Sequence, residues 1–445
     1  MKQADFLIIG GSAAGTTAAE VIRGLKPESS ITIISDEPHE EYSRVLLPQY
    51  ITHKVSREQI FLKKSVWYEE KKIELLKGSR VQGLAASEKT VTLESGEQIQ
   101  YGKLLIAIGG DVLRLSVPGS DLGNIMYLRT VENADKFIEV ARASKKAVIV
   151  GGGLVSLDFA EGFRANGVWD ITILIREPYY WAGKLDEPSS KILQGVLEKN
   201  GIKVLANEEV DRFESVEARQ GPTLSEGRTL NKTVGAVVTK SGKTLDADVV
   251  GIGIGIKSDL SWLDGTGINL NRAIVTNEYL ETSLLDVYAA GDCAEFKDVI
   301  FDRQHVMGNW ANATTQGADV GKTMAGVRTV YESASSYTDT FFEGRYTFVG
   351  VTDDKFADEV VSRGSVESGK MTRIFIKKLS NPTSEVDSDS SEVRKSSDQI
   401  RIVGATIIND PAEVAPLTAA VKNKIDISSH KEKLGDANFD LKELI

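Results

Sequence analysis

Residues 6–23 read FLIIGGSAAGTTAAEVIR, and residues 147–164 read AVIVGGGLVSLDFAEGFR. Each is a short apolar run, a glycine turn and a helix of small residues. Phe6-Leu7-Ile8-Ile9 is continuously apolar, as a strand buried on both faces of a parallel sheet must be. In the turn Gly10-Gly11-Ser12-Ala13-Ala14-Gly15, the first glycine permits a tight bend. The middle position lets backbone approach a pyrophosphate, and the last lets helix and strand pack closely. The helix N-terminus then offers free N–H groups and the positive end of its dipole to phosphate. Ser12 stands at the middle position, where glycine is usual, and is small enough to keep the approach open. A second apolar strand, Ile31–Ile34, ends in Ser35-Asp36-Glu37. An acid about twenty residues past the glycines is placed to accept hydrogen bonds from a ribose.

The second copy runs Val148–Val150, then Gly151-Gly152-Gly153-Leu154-Val155-Ser156, with serine at the last small position. Its following strand, Ile171–Ile175, ends in Arg176-Glu177. An arginine there suits a 2′-phosphate and an acid suits a free ribose, so NADPH and NADH both stay open, with a slight lean to NADPH. Two cradles imply two dinucleotides. FAD with NAD(P)H is the economical pair, because hydride must pass from one ring to the other.

The chain has 445 residues and a net charge of −11, which disfavours nucleic acid or an anionic membrane as main partner. No run of 18 apolar residues occurs, and neither a signal peptide nor a membrane span is expected. A single cysteine, Cys293, rules out intramolecular disulfides and points to the cytoplasm. The four histidines, at 39, 53, 305 and 430, lack metal-ligand spacing, so no metal is expected.

After Gly326 the texture changes. GRYTFVG, TRIFIKKL and QIRIVGATII alternate apolar and polar residues, which predicts antiparallel strands with one face exposed. Residues 379–398, rich in Ser and Asp, read as a long mobile hairpin loop. Helices are expected after Thr130, from about Asn309, and within PAEVAPLTAAVKNKI.

Four separated features together resemble the two-dinucleotide-domain flavoprotein reductases of the pyridine nucleotide–disulfide oxidoreductase superfamily. They are the turn at Gly10–Gly15 with its acids, YSRVLLP at Tyr42–Pro48, the turn at Gly151–Ser156, and TSLLDVYAAGD at Thr282–Asp292. The resemblance implies an α/β fold with two Rossmann-like dinucleotide-binding domains and a C-terminal α+β interface domain. The FAD domain would be discontinuous, 1–117 with 251–325; the NAD(P)H domain would take 118–250 and the interface domain 326–445. By the same resemblance, Gly10, Gly11, Ser12, Ala13, Ala14, Gly15 and Asp36 or Glu37 would hold FAD. Arg44 would contact the flavin nucleotide, and Asp292 the ribityl chain. Gly151, Gly153, Arg176 and Glu177 would serve the nicotinamide nucleotide. Val81, Ala107, Gly109, Gly255 and Gly291 would complete the cofactor-binding set.

Disulfide reductases of this superfamily carry redox cysteines early in the chain, and here there are none. That departure points to the ferredoxin- and rubredoxin-reductase-like branch, in which flavin passes electrons outward without a protein thiol. NWANATTQG at Asn309–Gly317 is similar to a motif of ferredoxin reductases and implies that Trp310 stands near flavin and nicotinamide. Those reductases also pair a lysine with a glutamate, and the matching positions are Gln49 and Asp158. The implied activity is an FAD-dependent NAD(P)H oxidoreductase whose acceptor is a ferredoxin- or rubredoxin-like protein, a quinone or O₂. A homodimer is the expected assembly. The alternatives are a redox-sensing flavoprotein similar to apoptosis-inducing factor, or the flavin subunit of a larger complex.

Overall fold

A computed structural model describes residues 1–217, 232–380 and 398–445. The expected loop at 379–398 falls, for residues 381–397, outside the described residues. Contacts divide the chain into two compact units: 1–174 with 208–333, and 175–207 with 334–445.

The first unit contains β1 (Lys2–Ile9), α1 (Ala13–Leu25), β2 (Ile31–Ile34), β3 (Ile73–Leu76) and β4 (Gln98–Ile106). They are followed by α2 (Val131–Ala143), β5 (Lys146–Val150), α3 (Leu154–Ala165), β6 (Asp170–Leu174), β7 (Val249–Ile252), β8 (Val287–Ala289) and α4 (Trp310–Met324). Five strands run parallel in the order β3-β2-β1-β4-β8. Ile8 lies in register with Ile33 and Leu105. The apolar runs serve both faces of this sheet: Ile8 and Leu105 join one core, and Leu7, Ile9, Leu104 and Ile106 the other. Order reverses at β1, so the carboxyl ends of β1 and β4 open a crevice suited to a ligand. A second parallel group runs β6-β5-β7. The expected helix starts hold because their caps are local. Thr130 and Asn309 accept the backbone N–H groups of Asn133 and Asn312. α4 lies on α1 with almost no gap: a Cβ added at Gly317 would stand 2.4 Å from the Ala14 carbonyl oxygen, and one at Gly321 2.9 Å from that of Ala18.

In the second unit, strands Ser336–Phe341, Gly344–Gly350, Asp398–Ile408, Lys370–Ser380 and Glu359–Ser365 form one antiparallel sheet in that order. The alternation of the sequence predicts one exposed face, and the structure buries both. Thr347, Thr372, Arg373 and Thr406 are buried along with their apolar neighbours. The sheet is covered by helix Val414–Lys422 and by Trp181, whose indole packs edge-on against Tyr346 and Phe348. The buried arginine is met by acceptors at both ends of its guanidinium group. Arg373 donates to the Lys184 carbonyl at 3.0 Å and to Asp354 at 2.9 Å. Arg363 is likewise buried, with Glu413 at 3.0 Å and a donation to the Phe439 carbonyl at 2.9 Å.

Glu41, in the first unit, is a buried carboxyl whose own backbone carbonyl accepts Leu62 N–H at 2.9 Å. Burial pushes its pKa up to about 7; Lys63 opposes the shift and Glu20 adds to it. With the folded pKa raised, the stabilising state is the protonated one. That contribution is complete below the unfolded value near 4.5 and is lost as pH rises through about 7. Glu41→Gln should therefore stabilise the protein at pH 8 by on the order of 2–3 kcal/mol and leave it nearly unchanged at pH 4. Urea unfolding at both pH values checks this; an equal effect at the two would refute it.

Candidate functional site

The two glycine turns share one backbone device. Gly10 has φ +118° and Gly151 φ +119°. A Cβ on Gly10 would lie 2.1 Å from the Ala107 carbonyl oxygen, and one on Gly151 2.3 Å from that of Gly253. Their N–H groups tie back to the neighbouring strands, at Ile34 (2.8 Å) and Leu174 (2.9 Å). In each turn the missing side chain lets the end of the adjacent strand press against the bend. The last small positions differ. A Cβ on Gly15 would sit 1.9 Å from the Gly10 carbonyl oxygen. Ser156, its counterpart, keeps a buried hydroxyl without a hydrogen-bond partner. Gly253 went unread in the sequence, where GIGIG marks it only as one glycine of several.

Gly10, Asp36, Glu37, Arg44, Val81 and Gly109 converge on one cavity of about 350 Å³ at the carboxyl ends of β1 and β2. Gly11, Ser12 and Ala107 join Asp36 and Arg44 around an adjoining space of about 40 Å³. Ser12 is the N-cap of α1, and its side chain makes no capping bond. Ala13 and Ala14 are buried in the first turn, Ala14 against Gly317. The two acids separate. Glu37 is held by an ion pair with Arg44 and by the Tyr42 hydroxyl. Asp36 is exposed and borders both spaces, without the arginine and tyrosine contacts that occupy Glu37.

Arg44 also donates to the Arg129 carbonyl at 2.6 Å. Arg129 lines the same cavity, with Nη2 4.0 Å from Asp292 Oδ2. Burial lowers its pKa, and the neighbouring Arg44 adds to the effect. Asp292 is shifted upward by burial, against the pull of Arg129 and Arg44. Sequence reading missed Arg129; its signal was the arginine of YLRTVENA, next to a helix cap. Gly109 is the close neighbour of this guanidinium, its absent Cβ leaving 3.1 Å to Nη2. The cradle, the open acid and the arginines suit the pyrophosphate, ribose and flavin ends of FAD.

Gly291 (φ +82°) and Asp292 open the short turn after β8. Trp310 is the first residue of α4, half-buried and packed against the edge of the core, as is Met307. Cys293 is wholly buried, its thiol directed at the Ile106 and Ala290 carbonyls, each 3.4 Å away. Burial pushes its pKa up to about 12.

Around the second turn, Gly153 caps α3 and Gly255 has φ +114°. Asp158 lies half-buried on α3 and Gln49 is exposed on the helical turn Leu47–Ile51. These two elements pack together, and the ion pair reaching from just past the turn to α3 is Lys54–Glu161, at 3.7 Å. Arg176 and Glu177 belong to the second unit. There Arg176, 79% exposed at its side chain, pairs with Glu177 at 2.8 Å. Among the described residues, no group of three or more His, Cys, Asp or Glu is placed to hold a metal, and no helix is long and apolar enough to cross a membrane.

The sequence profile described as pyridine nucleotide-disulphide oxidoreductase matches residues 4–317. The NAD(P)H nitrite reductase of Bacillus subtilis is 27% identical over 96% of this chain and 48% of its own length, so the chain spans about half of that relative. The ferredoxin–NAD(+) reductase component of the biphenyl dioxygenase system of Paraburkholderia xenovorans is 26% identical over 98% of this chain and 97% of its own. Among solved structures, the covalent putidaredoxin reductase–putidaredoxin complex contains a chain that superposes with a TM-score of 0.84, covering 100% of this chain and 98% of that one at 23% identity.

Proposed function

Because the chain belongs to the pyridine nucleotide-disulphide oxidoreductase family, we propose that it is an FAD-dependent NAD(P)H oxidoreductase that delivers electrons to a small ferredoxin- or rubredoxin-like protein without a protein thiol in between. The observation that carries the reading is the doubled glycine cradle in a chain whose one thiol is buried and held protonated. The similarity to reductases whose names specify ferredoxin and rubredoxin supports the acceptor. The domain division into 1–117 with 251–325, 118–250 and 326–445, and a cytoplasmic location, belong to the same proposal.

The Gly10–Gly15 turn and the N-terminus of α1 would receive the pyrophosphate of FAD, with Asp36 accepting from the adenosine ribose. Arg44 and Arg129 add positive charge to the same cavity. Asp292 would accept from the ribityl hydroxyls. When bound, the flavin supplies the two-electron chemistry that the side chains lack. Trp310 would pack beside the nicotinamide and keep water from the transfer path. The Gly151–Ser156 turn would seat the second pyrophosphate. Cys293 takes no part, since a thiol with a pKa near 12 is almost never a thiolate at neutral pH.

Denaturation of the purified protein should release FAD rather than FMN, and Cys293→Ser should retain NAD(P)H-dependent reduction of an artificial acceptor. Released FMN, or a colourless protein that FAD does not reconstitute, refutes the cofactor. A loss beyond about a hundredfold in Cys293→Ser with FAD still bound, about 2.7 kcal/mol of barrier, refutes the thiol-free path.

A further inference from the structure

We propose that Asn312 and Gln316 are positioning residues that clamp Asp292 at two points. Asn312 holds the turn lying over its carboxylate and Gln316 holds the glycine before it, and together they set how tightly flavin is retained. The inference rests on the reading of Asp292 as a flavin-binding residue.

The two side chains are four residues apart on α4, hence on one face of the helix. They are 2% and 0% exposed, so neither presents a surface to a ligand. Gln316 Oε1 accepts the Gly291 N–H at 2.7 Å. Gly291 sits at φ +82°, a conformation that its own sequence does not hold, and this bond pins it. The Gln316 Nε2 group has no partner. A buried amide N–H group left without a protein partner is unfavourable, so packing alone does not account for a glutamine at this position.

Asn312 acts from the other side. Its Nδ2 donates to the Met307 carbonyl at 2.8 Å, and its Oδ1 accepts from the buried Tyr331 hydroxyl. Its backbone N–H goes to Asn309 Oδ1 at 2.8 Å. Turn 307–309 is thereby tied to the helix it precedes. A Cβ on Gly308, the middle of that turn, would stand 3.5 Å from the Asp292 carboxylate carbon. The carboxylate therefore lies between the braced turn and the braced glycine. α4 itself is seated on α1 through Gly317 and Gly321. The helix that positions Asp292 is thus referenced to the helix that carries the first glycine cradle.

The test is a double-mutant cycle on FAD dissociation, read by the fluorescence of released flavin from the purified holoprotein. Gln316→Met keeps length and removes the acceptor. Tyr331→Phe removes only the donor to Asn312. Losing one such hydrogen bond is expected to raise the FAD dissociation constant about tenfold for Gln316→Met and about threefold for Tyr331→Phe. If the clamp acts through Asp292, both increments collapse to less than about half their logarithm in an Asp292→Asn background. Should Gln316→Met fail to fold, Tyr331→Phe carries the same cycle. Increments of full size in both backgrounds, or unchanged constants in both variants, overturn the clamp while leaving the flavin reading intact. A wild-type protein that binds no FAD overturns both.

Discussion

Gly10→Ala is expected to abolish FAD retention and to cost about 4 kcal/mol of folding stability. Two terms add. A residue with a Cβ at φ +118° occupies strained backbone, worth about 1–3 kcal/mol. The methyl would also stand 2.1 Å from the Ala107 carbonyl oxygen, an overpacking worth about 1–3 kcal/mol. Neither partner can yield cheaply. Ala107 N–H is bonded to the Ile9 carbonyl at 2.7 Å, and Gly10 N–H to that of Ile34 at 2.8 Å. Relief would require separating β1 from β4 at the end where the cavity opens. Gly24→Ala is the control, because nothing lies within 4 Å of its Cβ position. It should stabilise α1 by about 0.5–1 kcal/mol. Urea unfolding followed by tryptophan fluorescence gives the stability of each variant, and the flavin absorbance of the purified proteins gives FAD retention. If Gly10→Ala binds FAD and loses under 1 kcal/mol, the close approach is dispensable.

Arg44→Met should cost about 3 kcal/mol and weaken FAD binding at least tenfold. The guanidinium holds Glu37, Tyr42 and the Arg129 carbonyl together. The Arg44 and Glu37 side chains are only 22% and 19% exposed. Removing one partner leaves a largely desolvated carboxylate unpaired, the costly way to break such a pair. The companion Arg44→Met/Glu37→Gln removes both charges and should recover about half of the lost stability. It should not recover the flavin affinity, because the arginine itself borders the cavity. Recovery of both properties together would make Arg44 a structural residue only.

Much of this molecule was legible before its coordinates. Phe6–Ile9 and Val148–Val150 are strands, the glycine turns follow them, and Thr130 and Asn309 cap helices. Each of these depends on residues within one turn or strand of itself. Apolar runs, a missing Cβ and a side chain that reaches a backbone N–H three residues on are all local chemistry. The family followed from four such local features kept in order.

Other features were decided only when distant segments met. The strands from Gly344 to Ile408 alternate as if half-exposed, yet Trp181 and helix Val414–Lys422 cover them, and Arg373 is buried because Asp354 and the Lys184 carbonyl come to it. Asp36 and Glu37 are adjacent acids that sequence could not tell apart until Arg44 and Tyr42 took one of them. Arg129 meets Arg44 and Gly109 at the cavity, and Gln316 meets Gly291, only once segments far apart in sequence are brought together. Sequence determined where the chain bends and which residues shun water, because those are properties of each residue and its near neighbours. Tertiary structure decided which charges are paired and which polar groups face a ligand, because pairing and desolvation depend on what the rest of the chain brings to that point in space.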